Sequence, residues 1–582
     1  MKRGRNRNVP FVSNPLLRVS LPAYRSQLLM FCVALGFVAL AARAVWLQVF
    51  SQDFLQRQGE VRYARTIELP ASRGKIFDRN GVVLASSLPA RAVWAAPEQV
   101  DATPEQLARL ARLLGMREGE LNRRLADNDR SFVFLKRQVE PDVAEQVARL
   151  EIPGIHQQRE YKRHYPEGET VAHVIGFTNV EDVGQEGVEL AKNAVLSGQP
   201  GSRRVIRDRL GRVVEDVGAT REPHNGSDLA LSIDSKVQYL AFNAVREAVE
   251  EHRARAGAAV VIDVRSGEIL ALANWPTFDP NSREKLSGAQ LRNRVLTDTF
   301  EPGSTMKPFT AALALELGLM RPDTVIQTDP GRLTVGGRTI GDSRRHGELT
   351  VAEVIQKSSN VGTAKMALEM QPQQMWEFYT RLGFGQAPRI GFPGAVAGRV
   401  RPYRSWKPIE QVTMSYGHGL SVSLLQLARA YSVFARDGEL VPLSMFRVDG
   451  GEVDGVEVIS PETARAVRQM LELAAGPGGT APRAQIAGYR VAGKTGTAHK
   501  QENGRYVRKY ISSFVGFAPV SDPRVIVAVM LDEPSAGKYY GGVVAAPVFA
   551  RITGDSLRAL RIPPDAPLAQ VILPAEAVEE SM

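Results

Sequence analysis

At 582 residues, 44% of them hydrophobic and 23% charged, the chain is long enough for roughly three to five folding units. It sits too close to average globular composition for a mainly disordered or multi-span membrane protein. Its 73 basic residues against 63 acidic ones leave a net +10, and Lys2, Arg3, Arg5, Arg7, Arg18 and Arg25 supply six of those charges ahead of the first apolar run. This asymmetry reads as a membrane-orientation signal, since no folded stretch clusters the charge that a nucleic-acid surface needs.

Leu28 to Ala42 is an unbroken run of apolar and small residues, and after Arg43 the apolar character continues to Val49-Phe50. About 20 residues at 1.5 Å rise cross the hydrocarbon core, so residues 27–49 are expected to form one transmembrane anchor, with residues 1–26 as a cytoplasmic tail. A cleaved signal peptide ending near Ala39-Leu40-Ala41 is the rival, but the apolar run overruns the usual length and continues past that cut. Either reading exports the rest. The only cysteine, Cys32, lies within the apolar run, so the exported portion has no disulfide framework and no cysteine nucleophile. The eight histidines are scattered and no HExxH pattern occurs, so neither a metal nor a cofactor is expected.

Residues 50–225 are expected to form a non-catalytic pedestal. Thr103-Pro104-Glu105-Gln106 opens a leucine-spaced, capped helix, basic strands follow at Ser202 to Val214, and His224-Asn225-Gly226 marks a boundary. Residues 226–562 read as an α+β domain with helices packed on an antiparallel sheet. Ala258 to Val264 and Ile269 to Ala273 form one predicted hairpin, and Phe514 to Val520 and Val525 to Leu531 another. Helical apolar stretches lie between them at Phe309 to Leu317, Val351 to Met370 and Leu424 to Phe434. Residues 563–582, rich in Pro, Ala and Glu, read as a loose tail.

Gly488 to Thr495 matches the phosphate-loop pattern GxxxxGK[ST], and Val525 to Glu533 imitates an apolar strand ending in an acid. That mechanism needs a helix after the loop, and the stretch following Lys494-Thr495 is polar, glycine-containing and without helical period. An exported compartment also lacks nucleoside triphosphate. The same lysine fits a second pattern, as the last of three elements: Ser304-Thr305-Met306-Lys307, Ser358-Ser359-Asn360 and Lys494-Thr495-Gly496-Thr497. One SxxK arises by chance about once in such a chain, and Ser282-Arg-Glu-Lys285 is a decoy without helical context. Ser304 differs, with Pro302-Gly303 before it and an apolar helical run after it. Singly, the three motifs also read as a helix cap, a turn and a surface hairpin; their order and spacing favour one site.

Serine is a poor nucleophile near neutral pH and needs a base within hydrogen-bonding reach. On a helix, Lys307 stands one turn from Ser304 and is expected to take its proton. Ser358 would relay a proton to the leaving amine, Asn360 would hold the substrate amide, and Lys494 would add positive charge. Thr495 and Thr497 would hold a substrate carboxylate, with Gly496 allowing close approach at an edge strand. The amides of Ser304 and Thr497 would form an oxyanion hole.

Beyond these motifs the chain resembles the class B penicillin-binding proteins, in the septal peptidoglycan D,D-transpeptidase branch of the FtsI type. Arg73 to Ala85, Tyr165-Pro166, Val174 to Phe177 and Gly184 to Glu189 carry the resemblance in the pedestal. Phe300 to Ser304, Asp342, His346-Gly347, Ser415 to Gly419, Gly479 to Ala481 and Phe514 to Pro519 carry it further on. The resemblance implies a serine β-lactamase/D,D-peptidase-like fold, with the pedestal serving dimerisation or partner contacts. It implies a peptidoglycan transpeptidase that cross-links stem peptides through an acyl-serine and is acylated by β-lactams. It further implies a lipid-linked precursor, an FtsW-type glycosyltransferase and other division-complex membrane proteins as partners, and a single-pass place in the bacterial inner membrane at the septum, with the catalytic domain periplasmic. An elongation-specific class B transpeptidase and a non-turnover β-lactam sensor are the alternatives.

Overall fold

The computed structural model describes residues 22–50, 64–126, 130–207, 213–216, 221–282, 286–502 and 504–567. Most of the expected cytoplasmic tail and residues 568–582 of the expected C-terminal tail lie outside them. The chain divides into two compact units, one made of Met1–Leu69 and Pro200–Pro223 and the other of Pro70–Gln199 and His224–Met582.

In the first unit, Pro22 precedes a 23-residue helix, Ala23–Val45, with no buried residue. At 1.5 Å per residue this is about 35 Å, long and apolar enough to cross a membrane. Arg43 lies in its last turn, beside the C-terminal carbonyls that a cation complements. The same unit holds a three-stranded antiparallel sheet with Gly201–Arg207 between Ala64–Leu69 and Val213–Asp216, where basic strands were expected.

In the second unit, residues 70–199 build a sheet around the long strand Val83–Ala95, which pairs with Ile76–Phe77, Val133–Val139 and Ile155–His164. The predicted helix is present at Pro104–Leu113: Thr103 Oγ1 accepts from Gln106 N at 3.2 Å and Gln106 Oε1 accepts from Thr103 N at 2.9 Å. The Arg73-to-Ala85 stretch acquires a physical role. Glu189 is fully buried and receives Arg73 Nε at 2.6 Å and Arg163 Nε at 2.7 Å. Five residues beyond Arg73, Asp78 accepts from Ser235 N at 3.1 Å and Ser235 Oγ at 2.9 Å, while Asn80 reaches Asp234 at 2.9 Å. This stretch therefore ties the 70–199 region to the first helix of the next, α1 (Ser235–Glu251), whose N-cap is Asp234.

From α1 onward a five-stranded antiparallel sheet organises the chain. Its strands are β1 (Ala256–Asp263), β2 (Ile269–Trp275), β3 (Ala492–Glu502), β4 (Arg505–Ala518) and β5 (Val525–Asp532), in the spatial order β2-β1-β5-β4-β3. Both predicted hairpins are present, and β5 joins them by pairing with β1 from Val525↔Asp263 to Asp532↔Ala256. Both faces are covered. Val261, Val527, Val529 and Phe514 pack with Val245 and Phe549 of α1 and the C-terminal helix Ala546–Ala559, whereas Val260, Ile262, Met530 and Val515 face the helices that carry the site. Burial on both sides explains why these strands read as continuous apolar runs. Asp565 accepts from Arg490 N at 2.7 Å and from Ser521 Oγ at 2.9 Å, which holds the chain's last described residues against this domain.

One expected helix is interrupted. Val351 to Met370 forms two helices, α3 (Val351–Lys357) and α4 (Asn360–Leu368), following α2 (Lys307–Glu316). Ser358 between them has φ +60°, a left-handed conformation that ends α3, and Ser359 then caps α4 by accepting from Gly362 N at 2.9 Å.

Candidate active site

Ser304 lies in a single 3-10 turn, Gly303–Met306, that leads directly into α2. The turn is fixed by its core side. Tyr431 Oη donates to Thr305 O at 2.8 Å, and Phe309 packs edge-on against Tyr431 and Phe384 with centroids 5.4 and 5.6 Å away. Gly303, at φ +57°, donates its amide to Gly417 O at 3.1 Å. A Cβ on Gly417 would stand 2.4 Å from Gly303 N, so only glycine lets these two backbones meet.

The three sequence motifs converge. Lys307 is fully buried and its Nζ donates to Ser358 O at 2.5 Å and to Ser358 Oγ at 3.1 Å. Lys494–Thr497 runs along β3, the edge strand, and Gly496 sits against the turn that carries Ser304: a Cβ there would lie 2.8 Å from Pro302 O and 2.5 Å from Ser513 Oγ. Gly303 meets the same strand, since its Cβ would lie 3.2 Å from Thr497 O. Lys494 is thus a strand residue with no helix behind it, which removes the phosphate-loop geometry. Ser282 of the decoy lies in a turn, and Lys285 lies outside the described residues.

Lys494 is also fully buried, with Nζ 3.1 Å from Thr495 Oγ1 and 3.4 Å from Thr480 Oγ1. Thr495 and Thr480 hydroxyls are themselves 3.1 Å apart, so the Thr495 hydroxyl faces Lys494. Thr497 Oγ1 accepts from Gly541 N at 2.9 Å. A Cβ on Gly541 would stand 2.5 Å from the carbonyl oxygens of both Gly496 and Ser513, so a side chain there would displace β3.

Several supporting residues have no signature in spacing. Asp342, at the end of the hairpin strand Arg338–Gly341, accepts from Ser359 Oγ at 2.6 Å and from Val361 N at 3.0 Å, while Asn360 Nδ2 donates to Gly341 O at 3.1 Å. The hairpin therefore holds the Ser358-Ser359-Asn360 turn in its left-handed conformation. Thr480 lies beside Lys494. At the rim, Glu301 meets His418 Nδ1 at 3.0 Å, Gly419 N at 2.9 Å and Tyr506 Oη at 3.1 Å.

A buried serine opening a helix, a lysine one turn on, and a second serine and lysine on adjoining elements are the groups that serine acyl transfer requires, gathered beside an antiparallel sheet. Comparisons with known proteins give the family. The family model for the penicillin-binding protein transpeptidase domain matches residues 257–554, and that for the penicillin-binding protein dimerisation domain matches residues 68–231. The chain belongs to the penicillin-binding protein transpeptidase family. It is 44% identical over 549 residues to the probable peptidoglycan D,D-transpeptidase PenA of Neisseria meningitidis serogroup A, covering 94% of each chain. It is 43% identical over 551 residues to the peptidoglycan D,D-transpeptidase FtsI of Escherichia coli K12, covering 94% of this chain and 93% of that one. Among solved structures, the apo transpeptidase domain of Burkholderia pseudomallei penicillin-binding protein 3 is 53% identical, with a TM-score of 0.54, over 58% of this chain and 98% of that one. A peptidoglycan synthetase of Bifidobacterium adolescentis is 29% identical, with a TM-score of 0.68, over 89% of this chain and all of the other.

Proposed function

We propose that the protein is a peptidoglycan D,D-transpeptidase in which Ser304 Oγ attacks the penultimate D-alanine carbonyl of a stem peptide. Lys307 takes the serine proton, since a lysine stripped of water is more readily neutral and only the neutral amine can accept a proton. The carbonyl oxygen gains charge between the amides of Ser304 and Thr497. As the carbon–nitrogen bond breaks, the proton passes from Lys307 through Ser358 Oγ to the departing D-alanine amine. An amine of a neighbouring stem then attacks the acyl-serine and the same groups act in reverse.

The observation that carries this reading is the contact of Lys307 Nζ with Ser358 Oγ at 3.1 Å, which joins base and relay across two helices. Asn360 orients the substrate amide. Lys494 supplies fixed positive charge with the Thr480 and Thr495 hydroxyls beside it, and Thr495 and Thr497 on edge strand β3 receive the substrate carboxylate. Gly496 leaves room for the substrate backbone, and β-lactams acylate the same serine because they present the same carbonyl and carboxylate.

Residues 50–225 serve as pedestal and residues 226–562 as the catalytic domain, an assignment supported by the two family-model ranges. The apolar helix anchors the chain once in the inner membrane, with the arginine-rich N-terminus cytoplasmic and the catalytic domain periplasmic. Similarity to FtsI supports septal work beside an FtsW-type glycosyltransferase and other division proteins. The test is release of D-alanine and formation of cross-linked product from a pentapeptide donor by the full chain in detergent. Product must vanish in Ser304→Ala and fall at least a hundredfold in Lys307→Ala, by about the scale of a lost base; cross-linking by Ser304→Ala would refute the assignment.

A further inference from the structure

The rim cluster around Glu301 has the arrangement of a base, and the relay just described leaves it unused. Glu301 precedes the nucleophile by three residues, and both of its oxygens are engaged. Oε1 accepts from Gly419 N at 2.9 Å and lies 3.4 Å from Gln501 Nε2; Oε2 meets His418 Nδ1 at 3.0 Å; Tyr506 Oη bridges both at 3.1 Å. A carboxylate only accepts, so the ring nitrogen facing it carries the hydrogen. In the neutral imidazole that leaves the lone pair on Nε2, for which no hydrogen bond occurs among the described residues. The tautomer is thus set as a carboxylate sets it for a general base.

The ring is also held in place. Tyr416 and Tyr506 approach it edge-on, with centroids 5.6 and 6.4 Å away. Gly417 and Gly419, at φ +89° and +80°, flank it on the chain. The cluster belongs to the reaction centre by connectivity: Gly417 meets Gly303, next to Ser304, and Tyr506 pairs with Gln501 on the hairpin whose first strand carries Thr497. The side chains keep some exposure, 18% for His418 and 11% for Glu301, so an incoming group reaches them from solvent.

We propose that His418 is the base that readies the acceptor amine for transfer, with Glu301 as its positioning residue; this rests on the acyl-serine reading above. An amine of a stem peptide arrives as an ammonium ion, which has no lone pair to attack with. His418 Nε2 takes one proton, giving a neutral amine and an imidazolium paired with Glu301. The amine nitrogen then bonds to the acyl carbon as the bond to Ser304 Oγ breaks. Its second proton travels through Ser358 and Lys307 to Oγ, and the imidazolium returns its proton to water.

The test uses the full chain in detergent, a D-alanyl thioester as donor and D-alanine as acceptor amine. Thiol release counts acylation events and the amide product counts transfers, so the readout is amide formed per thiol released. In His418→Ala this ratio is expected to fall about a hundredfold, at the low end of what a positioned base supplies, and added imidazole restores part of it. In Glu301→Gln the ratio falls without imidazole rescue, because the ring is still present. A wild-type ratio in His418→Ala, or a fall that imidazole leaves untouched, overturns the proposal. If the wild-type chain releases no thiol, the acyl-serine reading itself fails; thiol and amide from the wild type with an unchanged ratio in His418→Ala removes only the base assignment.

Discussion

Asp342→Ala should slow acylation of Ser304 without unfolding the protein, because Asp342 acts on the Ser358 turn from outside the reacting groups. Its carboxylate receives Ser359 Oγ at 2.6 Å and Val361 N at 3.0 Å. Each bond to a charged acceptor contributes about 1.5 kcal/mol at the low end, so removing both costs about 3 kcal/mol of local stability. Ser358 is held at φ +60°, which costs a non-glycine residue about 1–2 kcal/mol and must be sustained by its surroundings. Without the aspartate the turn relaxes and Ser358 Oγ leaves Lys307 Nζ. Half to all of the 3 kcal/mol appearing in the barrier gives about a 10- to 150-fold slower reaction at 1.4 kcal/mol per tenfold. The assay is the second-order rate of benzylpenicillin acylation of the full chain in detergent. Ser359→Ala removes one of the same bonds, and the double variant should lose less than the sum of the singles, since the two residues share an interaction. A rate within twofold of wild type in Asp342→Ala, or strict additivity in the double variant, would refute the reasoning.

Thr480→Val keeps shape but removes the hydroxyl that Lys494 and Thr495 share, and should slow acylation about fivefold, from loss of roughly 1 kcal/mol; an unchanged rate would leave Thr480 as packing only. Glu189→Ala leaves Arg73 and Arg163 buried without their shared carboxylate and should lower unfolding stability by about 3–5 kcal/mol, measured by urea denaturation. A loss below about 1 kcal/mol would mean that water compensates them. Burial moves His173 from its ordinary 6.5 down to about 4, so the unfolded chain binds its proton first and stability falls as pH drops from 6.5 toward 4. Asp182, pushed up to about 6 chiefly by burial, runs the opposite way, so the test is the difference between wild type and His173→Gln: the variant should lose less stability over that window, by up to about 3 kcal/mol, and parallel curves would contradict the assignment.

The two hairpins were legible because β1, β2, β4 and β5 carry apolar runs bounded by polar turns, and a strand covered on both faces has no choice but to be apolar. The Thr103 cap was legible for a local reason, as its partners lie three residues apart. Edge strand β3 was readable only through its motif, since the small and polar stretch from Gly493 to Thr497 lacks β-branched alternation. Val351 to Met370 read as one helix because its apolar residues recur at helical spacing on both sides of the Ser-Ser-Asn triplet; the left-handed Ser358 is sustained by Asp342 through Ser359, a tertiary contact that no local pattern carries. The rim cluster was beyond reach for the same reason, since Glu301 finds His418 at a separation of 117 residues and Tyr506 at 205. The three motifs were legible as a set, and Asp342, Thr480, Glu301 and His418 lie in stretches that carry the resemblance, but the contacts through which they meet those motifs become visible only in three dimensions.

The central claim is that Ser304 is the acylated nucleophile, and intact-mass and peptide analysis of the full chain after incubation with benzylpenicillin tests it most directly. The account predicts one stable adduct on the peptide containing Ser304, present in Ser282→Ala and absent in Ser304→Ala. An adduct that survives Ser304→Ala, or none on folded wild-type protein, would contradict it.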